Sequence, residues 1–435
     1  MPFRQPFGMG NPFRARMPSG SRRMDAAIVY LLLTSVNAFR ERLTYTVLAV
    51  YYVTTANMDP LQLVLVGTVL EAAYLLFEVP TGVIADVYSR RLSIILGYLI
   101  VGVAFVLEGS VPLFGVILLA EVIRAAGEAC LSGASQAWLA DEVGEDRVGA
   151  LFVRGAQLRR VCGLLGIGVS VGLASVHLTL PIVVGGGLSV ALAAFLLLVM
   201  PERGFHPRQR TGSAGGLFQT AASGLRQLRQ RPLLLTFLAV AAAVGASSEG
   251  FDRLWEAHFL ASFVFPSLGA LEPVVWFGIL EAGALLLGIL GVQVLTRLDL
   301  TDDRVLARYS LMAHGGWLVA VCAFGLATDF VVAVLAFWTA RVMKSIEQPL
   351  AQTWTTRAIP SQVRATVLST LSQGDALGQM AGGPVIGMIG TVHSLRAAMV
   401  ATGLFHAPAL LLLTRARRLL DEPAPPSAPP VLPPA

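Results

Sequence analysis

The stretch Gly82-Val-Ile-Ala-Asp86-Val-Tyr-Ser-Arg90-Arg91 decides how this chain is read. It is a short charged hinge between two runs apolar enough to cross a bilayer. Asp86 is followed four and five residues later by Arg90 and Arg91, which places opposite charges within reach of one another at a membrane surface. Gly82, one helical turn before the acid, allows a neighbouring helix to come close. By itself such a hinge is only a way to join two membrane helices, so the flanking sequence has to carry the decision.

The flanks leave no doubt about class. Hydrophobic residues make up 55% of the 435 residues and charged residues 14%, and the mean hydropathy is +0.69, whereas charged residues alone are about a quarter of a soluble domain. Runs of about 20 mostly apolar residues fall at 26–53, 61–84, 92–110, 112–137, 155–176 and 179–200, then at 233–259, 274–296, 305–327, 329–352, 366–391 and 395–414. The expected fold is an all-α membrane protein with twelve transmembrane helices in two six-helix bundles. These runs lack the alternation of membrane β-strands. Residues 1–25 read as a disordered basic arm, 26–200 as the N-terminal bundle, 201–232 as a linker, 233–414 as the C-terminal bundle and 415–435 as a Pro-rich tail. The arm has no signal-peptide pattern, and Met1 and Met24 are both candidate starts.

Most of the 32 Lys and Arg fall in the arm, the tail or the connections on one side, which sets the expected orientation with both termini cytoplasmic in a plasma (inner) membrane. The pI of 9.4 reflects this topology and not nucleic-acid binding, because the arginines are spread over several short segments. Cys130, Cys162 and Cys322 lie in separate spans with no paired spacing. Phosphate-loop, zinc-protease and nucleophile-elbow patterns are absent from the sequence, as is any clustered metal-ligand spacing. Those absences argue against an enzyme, a metal site or direct use of ATP.

The two halves carry a trace of duplication. Arg124, Trp138 and Arg147 recur as Arg341, Trp354 and Arg364, with 23 residues from first to last arginine in each half and the tryptophans one residue out of register. A duplicated six-helix unit that holds its substrate between the halves is a recurrent transporter plan. With that plan in view, the hinge resembles the signature of the major facilitator superfamily, Gly-x-x-x-Asp-Arg-x-Gly-Arg-Arg between spans two and three. Gly82, Asp86, Arg90 and Arg91 match it, while Val87 and Ser89 depart from it. Glu78-Val-Pro-Thr-Gly82 is similar to the drug-efflux-like bacterial branch. The resemblance, over residues 26–414, implies a gate latch in which the arginine pairs with Asp141 or Glu142 at the end of the fourth span and the acid meets the other half. The second-half hinge, 299–308, keeps charges without the glycine or tandem arginines, so the latch is expected in the first half alone.

Charges inside the spans mark function, since each costs about 2.5–3.5 kcal/mol at mid-bilayer on insertion scales. Glu121, Arg124 and Glu128 share one face of the fourth span, as a structural ion network or as a proton-linked switch; both readings stand. Arg341, Lys344 and Glu347 repeat the theme on the tenth span, with Lys344 expected to pair with Glu347. Arg40, Glu41 and Arg42 are consecutive, so they cannot all face one groove. The resemblance implies that the first and seventh spans line the cavity, which makes Asn37, Glu41, Glu249, Asp252 and Arg253 candidates, together with the deep Trp338. Proton-coupling candidates are Glu41, Glu121, Arg124, Glu128, Glu249 and Asp375; cavity candidates are Asn37, Asp252, Arg253, Trp338, Arg341 and Lys344. Glu71 and Glu78 share a face of the second span, and Glu281 and Asp375 are further isolated acids. Gly374, Gly378, Gly382, Gly383, Pro384 and Gly387 on the eleventh span form a stripe read mainly as helix packing. The sequence-based expectation is a monomeric secondary transporter, driven by a proton gradient without a cofactor and exporting a small organic solute. Nutrient uptake and a non-transporting receptor or scaffold are its rivals.

Overall fold

The computed structural model describes residues 24–205, 232–268, 274–359 and 363–421. The N-terminal half contains α1 (Ala26–Thr54), α2 (Pro60–Val83), a π-helical turn (Ile84–Tyr88), α3 (Arg90–Ser110), α4 (Phe114–Leu131), α5 (Ala134–Val143), α6 (Glu145–Ala174) and α7 (Leu180–Val199). The C-terminal half contains α8 (Pro232–Ser262), α9 (Val274–Leu295), α10 (Asp303–Leu326), α11 (Phe330–Ala358), α12 (Arg364–Val392), α13 (Leu395–Phe405) and α14 (Ala407–Asp421). Twelve spans result, because α4 with α5 and α13 with α14 each make one broken span. The fourth and twelfth spans were expected to be continuous. The fourth breaks where Gly133 takes a left-handed conformation (φ 67°), and the twelfth at His406.

Local chemistry sets the helix starts. Asp59 and Gln62 form a reciprocal capping box ahead of Pro60, and Ser89, Asp302, Asp329 and Ser394 each accept a hydrogen bond from the backbone of the helix they precede. Among the described residues, eight spans meet a strict standard of length and low charge. The four that miss it are α1, α4, α11 and α12. The first three each hold a cluster of intramembrane charges, and α12 is diluted by glycine and polar residues. Two of them, α1 and α11, line the central chamber described below.

Packing defines the state of the molecule. On the face that carries the chain termini each bundle has its own core: Val29, Tyr30, Ile94 and Trp138 in one, Leu234, Phe237, Leu306 and Trp354 in the other. On the opposite face one continuous cluster crosses both halves, joining Tyr51, Leu63, Val64 and Phe105 to Phe251, Trp255, Phe259 and Phe337. The bundles are therefore joined at the far face and parted at the terminal face. Tryptophans near span ends commonly anchor at the lipid interface. Instead Trp138 and Trp354 are buried, each in the terminal-side core of its own half, where Trp138 donates to the Pro201 carbonyl (2.8 Å) and Trp354 meets the Phe237 ring edge-on.

Glycines make the far-face seal. A Cβ at Gly387 would lie 3.0 Å from Leu61 Cα, and one at Gly390 would lie 2.7 Å from Pro60 Cβ. The Leu61 N–H donates to Thr391 Oγ (3.0 Å), and the Thr391 hydroxyl donates to Asp59 (3.3 Å). Gly383 packs on Val64 of the same α2 helix. Gly374, Gly378 and Gly382 turn instead to α8, where added Cβ atoms would come within 2.5 Å of Leu238, 2.1 Å of the Ala242 oxygen and 2.2 Å of the Ala246 oxygen. One stripe thus serves two contacts, the second half's own core and the seal between halves. Pro384 lies within α12, directly after Gly383, where the stripe turns from one contact to the other. On α6, Gly163 and Gly166 pack on α1, while Gly168 and Gly172 face open space.

Candidate functional site: a charged cavity between the bundles

Below the seal, α1, α8, α9 and α11 enclose a chamber of about 370 Å³ whose walls include Glu41, Arg42, Tyr45, Asp252, Arg253 and Glu281. A second chamber of about 510 Å³ inside the N-terminal bundle is reached through Asn37, Arg40, Glu41 and Glu128. A third, of about 340 Å³, lies between α1, α6, α9 and α11 toward the open face. Glu41 and Tyr45 are shared by the first two, and Arg42 and Arg341 by the first and third, so the three chambers adjoin one another.

Consecutive charges on α1 fan out, as 100° steps require. Arg40 is buried and turns inward, donating to Asn37 (2.9 Å) beside the Phe105 ring. Glu41 accepts from Asn37 (2.8 Å) and lies 3.6 Å from Arg159 and 3.8 Å from Arg40. Arg42 crosses to the other bundle and pairs with Glu281 at 2.6 Å. Arg341 of α11 reaches the same carboxylate at 3.0 Å. Glu281, isolated in sequence, is thus the joint between α1 of one half and α11 of the other. Asp252 pairs with Lys344 at 2.5 Å, and Glu249 with Arg253 at 2.8 Å. The latter pair presses on α2: a Cβ at Gly67 would fall 1.5 Å from Glu249 Oε1.

Two expected placements are corrected. Lys344 does not pair with Glu347, because Asp252 on the facing α8 offers it a carboxylate across the cavity; Glu347 turns to His314 of α10 at 3.5 Å. Trp338 is not among the lining residues of the three chambers described. It fills the space over Gly283 and donates to the Leu280 carbonyl (3.0 Å), wedged between α9 and α11. Asp375 meets no arginine among the described ion pairs and accepts from Gln379 on its own helix (2.8 Å).

On α4, Arg124 does gather its flanking acids. It donates to Glu121, to Glu128 (3.0 Å) and to the Tyr45 hydroxyl (2.7 Å). Sequence reasoning missed the continuation. Glu108, fully buried near the end of α3, accepts from the Tyr52 hydroxyl, which also lies 3.3 Å from Glu121. One Glu108 oxygen has no hydrogen-bond partner, as is also true of one oxygen of the buried Glu256. Glu108 sits two residues from a span end and reads in sequence as an interfacial charge. Also missed was a chain of side chains through the C-terminal bundle: Glu347, His314, His406 (2.8 Å from His314) and Ser247 (2.7 Å from His406). Its histidines are 92 residues apart, so no local pattern announces it.

The hinge is built as a joint inside one bundle. Arg90 pairs with Asp141 and donates to the Ala137 carbonyl (2.8 Å), with the Phe205 ring beside it. Arg91 donates through its guanidinium to the Leu197 carbonyl (2.5 Å) and through its backbone N–H to Glu202 (3.0 Å). Glu142 accepts instead from the backbone of Arg203 and from Gly204 (2.6 Å). The close helix approach expected at Gly82 is absent. A Cβ there would meet no atom within 4 Å, because the bundles part at this face.

The second-half hinge is not an empty counterpart. Arg357, in the last turn of α11, reaches Asp303 (3.2 Å) and the carbonyls of Leu300 (2.7 Å) and Thr301. Each half thus ties its hinge to the end of its fourth span, with the signs exchanged. In this hinge Asp299 accepts from the Thr301 N–H (3.0 Å) and hydroxyl (2.6 Å), and those bonds hold its carboxyl below the usual carboxylate range.

Two parallel-built bundles around a charged cavity, sealed at one face and open at the other, define a membrane transporter fold. The chain belongs to the Major Facilitator Superfamily, whose sequence profile matches residues 30–299. The uncharacterized MFS-type transporter YxaM of Bacillus subtilis (strain 168) is 23% identical over 380 residues, covering 86% of this chain and 92% of that protein. Among solved structures, the nucleoside transporter NupG (D323A mutant) superposes with a TM-score of 0.73 at 15% identity, over 91% of this chain and 99% of that one. A bacterial homolog of the human lysosomal transporter Spinster, inward-facing and unoccupied, gives a TM-score of 0.72 at 18% identity, over 92% and 98%.

Proposed function

We propose that this protein is a proton-coupled secondary transporter that exports a small organic solute by alternating access. The carrying observation is the cluster of buried Glu108 and Glu121 with half-buried Glu128, linked to one another through Arg124 and the hydroxyls of Tyr45 and Tyr52. Glu121 and Glu128 share the Arg124 guanidinium, and Glu108 joins them through the Tyr52 hydroxyl. Buried, uncompensated charge is costly, so a proton is the natural second counter-charge. When a carboxyl of the cluster takes a proton, Arg124 is freed toward its remaining partners and the α1 tyrosines re-pair. The α1 helix also carries Arg42 to Glu281, which links that change to the opposite bundle. Glu41 on the cavity wall, and Glu249 and Asp375 on α8 and α12, are further candidate proton carriers.

In this reading the parted face is cytoplasmic, the termini lie in the cytoplasm, and the chain works as a monomer in the plasma membrane without a cofactor. The Gly82, Asp86, Arg90, Arg91 and Asp141 hinge serves as the gate latch when the bundles rock closed. Export rests on the likeness of residues 78–82 to the efflux-like branch. Proteoliposomes with an imposed pH gradient provide the test: solute should move against its gradient and stop when an ionophore collapses the proton gradient. Movement that survives the ionophore would overturn proton coupling, and accumulation only in right-side-out vesicles would mark uptake.

A further inference from the structure

We infer that the chamber on the open side of Glu281 is a subsite for the anionic group of an organic solute, a carboxylate or phosphate monoester on a small apolar body. This inference rests on the transporter reading and names the substrate class of the same cavity. The chamber's walls carry Arg42, Arg160, Arg341 and Lys344 and no carboxylate among the described residues. Arg42 and Arg341 share one acid, Glu281, and Lys344 has Asp252. Arg160, exposed on the open side, has no acidic partner among the chamber's walls, so these walls of a space of about 340 Å³ carry two more cations than the acids that pair with them. Glu41 does not supply the balance, since Arg40 and Arg159 already flank it.

The donors come from three helices and both bundles, which is how a ligand, rather than local sequence, would use them. Planar guanidinium forks match the two oxygens of a carboxylate or the three of a phosphate, and the Lys344 ammonium adds a point charge. Leu285 and Ile289 of α9 form an apolar wall for the rest of the molecule. Because Arg42 and Arg341 both already hold Glu281, an incoming anion competes for guanidiniums that tie the two halves together. Substrate binding would then loosen the same α1–α9 link that opening and closing must break.

The test uses the full-length protein, purified in a neutral detergent, and one scaffold with four head groups: naphthoate, naphthyl phosphate, naphthamide and naphthylmethylamine. Calorimetric titration should show the two anions binding at least about tenfold more tightly than the amide and the amine, as expected for a charge-assisted bidentate contact. Arg160→Gln should weaken the anions by about tenfold, leave the amide unchanged, and be largely rescued by Arg160→Lys. Lys344→Gln provides a second variant, and monodisperse elution confirms that each is folded. Anions that bind no better than the amide, the absence of binding by any probe, or anion affinity unmoved in both variants would overturn the inference. Intact anion preference with no flux in proteoliposomes would count against the transport reading and leave the subsite standing.

Discussion

Glu281 shows how little a residue's own sequence neighbourhood says about its work. It stands alone on α9, yet its buried carboxylate holds Arg42 from one bundle and Arg341 from the other. Glu281→Gln removes the charge that both guanidiniums share. Leaving them unmatched in a cavity with partial water access should cost about 1–2 kcal/mol, less than a fully dry pair would. The thermal midpoint in detergent should fall by a few degrees and transport by at least about tenfold; a variant with wild-type flux would rule out the joint. The Arg90–Asp141 pair is a contrasting case, since it lies within one bundle. A double-mutant cycle with Arg90→Gln and Asp141→Asn should return a coupling of about 1–3 kcal/mol in stability. Additive effects of the two changes would show that the pair does not tie the hinge to α5.

At the scale of elements, glycine position separates packing from its absence. Gly382→Ala pushes a methyl to 2.2 Å from the Ala246 backbone oxygen and should destabilise the protein by about 1–3 kcal/mol. Gly168→Ala, on a helix face with nothing within 4 Å, should stabilise by about 0.5–1 kcal/mol. Thermal midpoints moving in the same direction for both would contradict the assigned contacts. Much of this level was legible in sequence. Span positions follow from apolar runs, because a bilayer demands about 20 such residues whatever their neighbours. The Arg124 cluster was legible because its members lie on one helical face. The Lys344–Asp252, Arg42–Glu281 and His314–His406 pairs were not, because each joins helices whose rotation and depth are set only by packing. Local spacing favoured Glu347 as the partner of Lys344; the facing helix supplied a better one. The hinge was half legible: its charges marked the joint, but that the second half uses the same joint with inverted signs appears only when Arg357 folds back on Asp303.

For the whole molecule, the decisive feature is a seal on one face and two separate cores on the other. If transport requires the α2–α12 seal to open, tying it shut must stop the cycle. Leu61→Cys with Thr391→Cys places two thiols where the Leu61 N–H now meets the Thr391 hydroxyl at 3.0 Å. Oxidation should abolish flux while leaving the cavity reachable from the terminal face, and reductant should restore it. Flux that persists in the fully oxidised protein would show that this seal is not the far gate. Cys130 is buried and Cys162 and Cys322 are half-buried, all three as free thiols, so each must be checked against mispairing.

Lys344 is the chain's only lysine, and it sits on the cavity wall bound to Asp252. Apart from the terminal amine, the protein therefore offers amine-directed reagents a single address, at the centre of its working space. An acylating ester applied to one side of the membrane reacts with the free amine, so its single mass increment would report how often that side is open with Lys344 released from Asp252. The same reaction slowed by a bound solute would measure occupancy. A composition that has all but exchanged lysine for arginine has left this protein with a chemical clock for its own cycle.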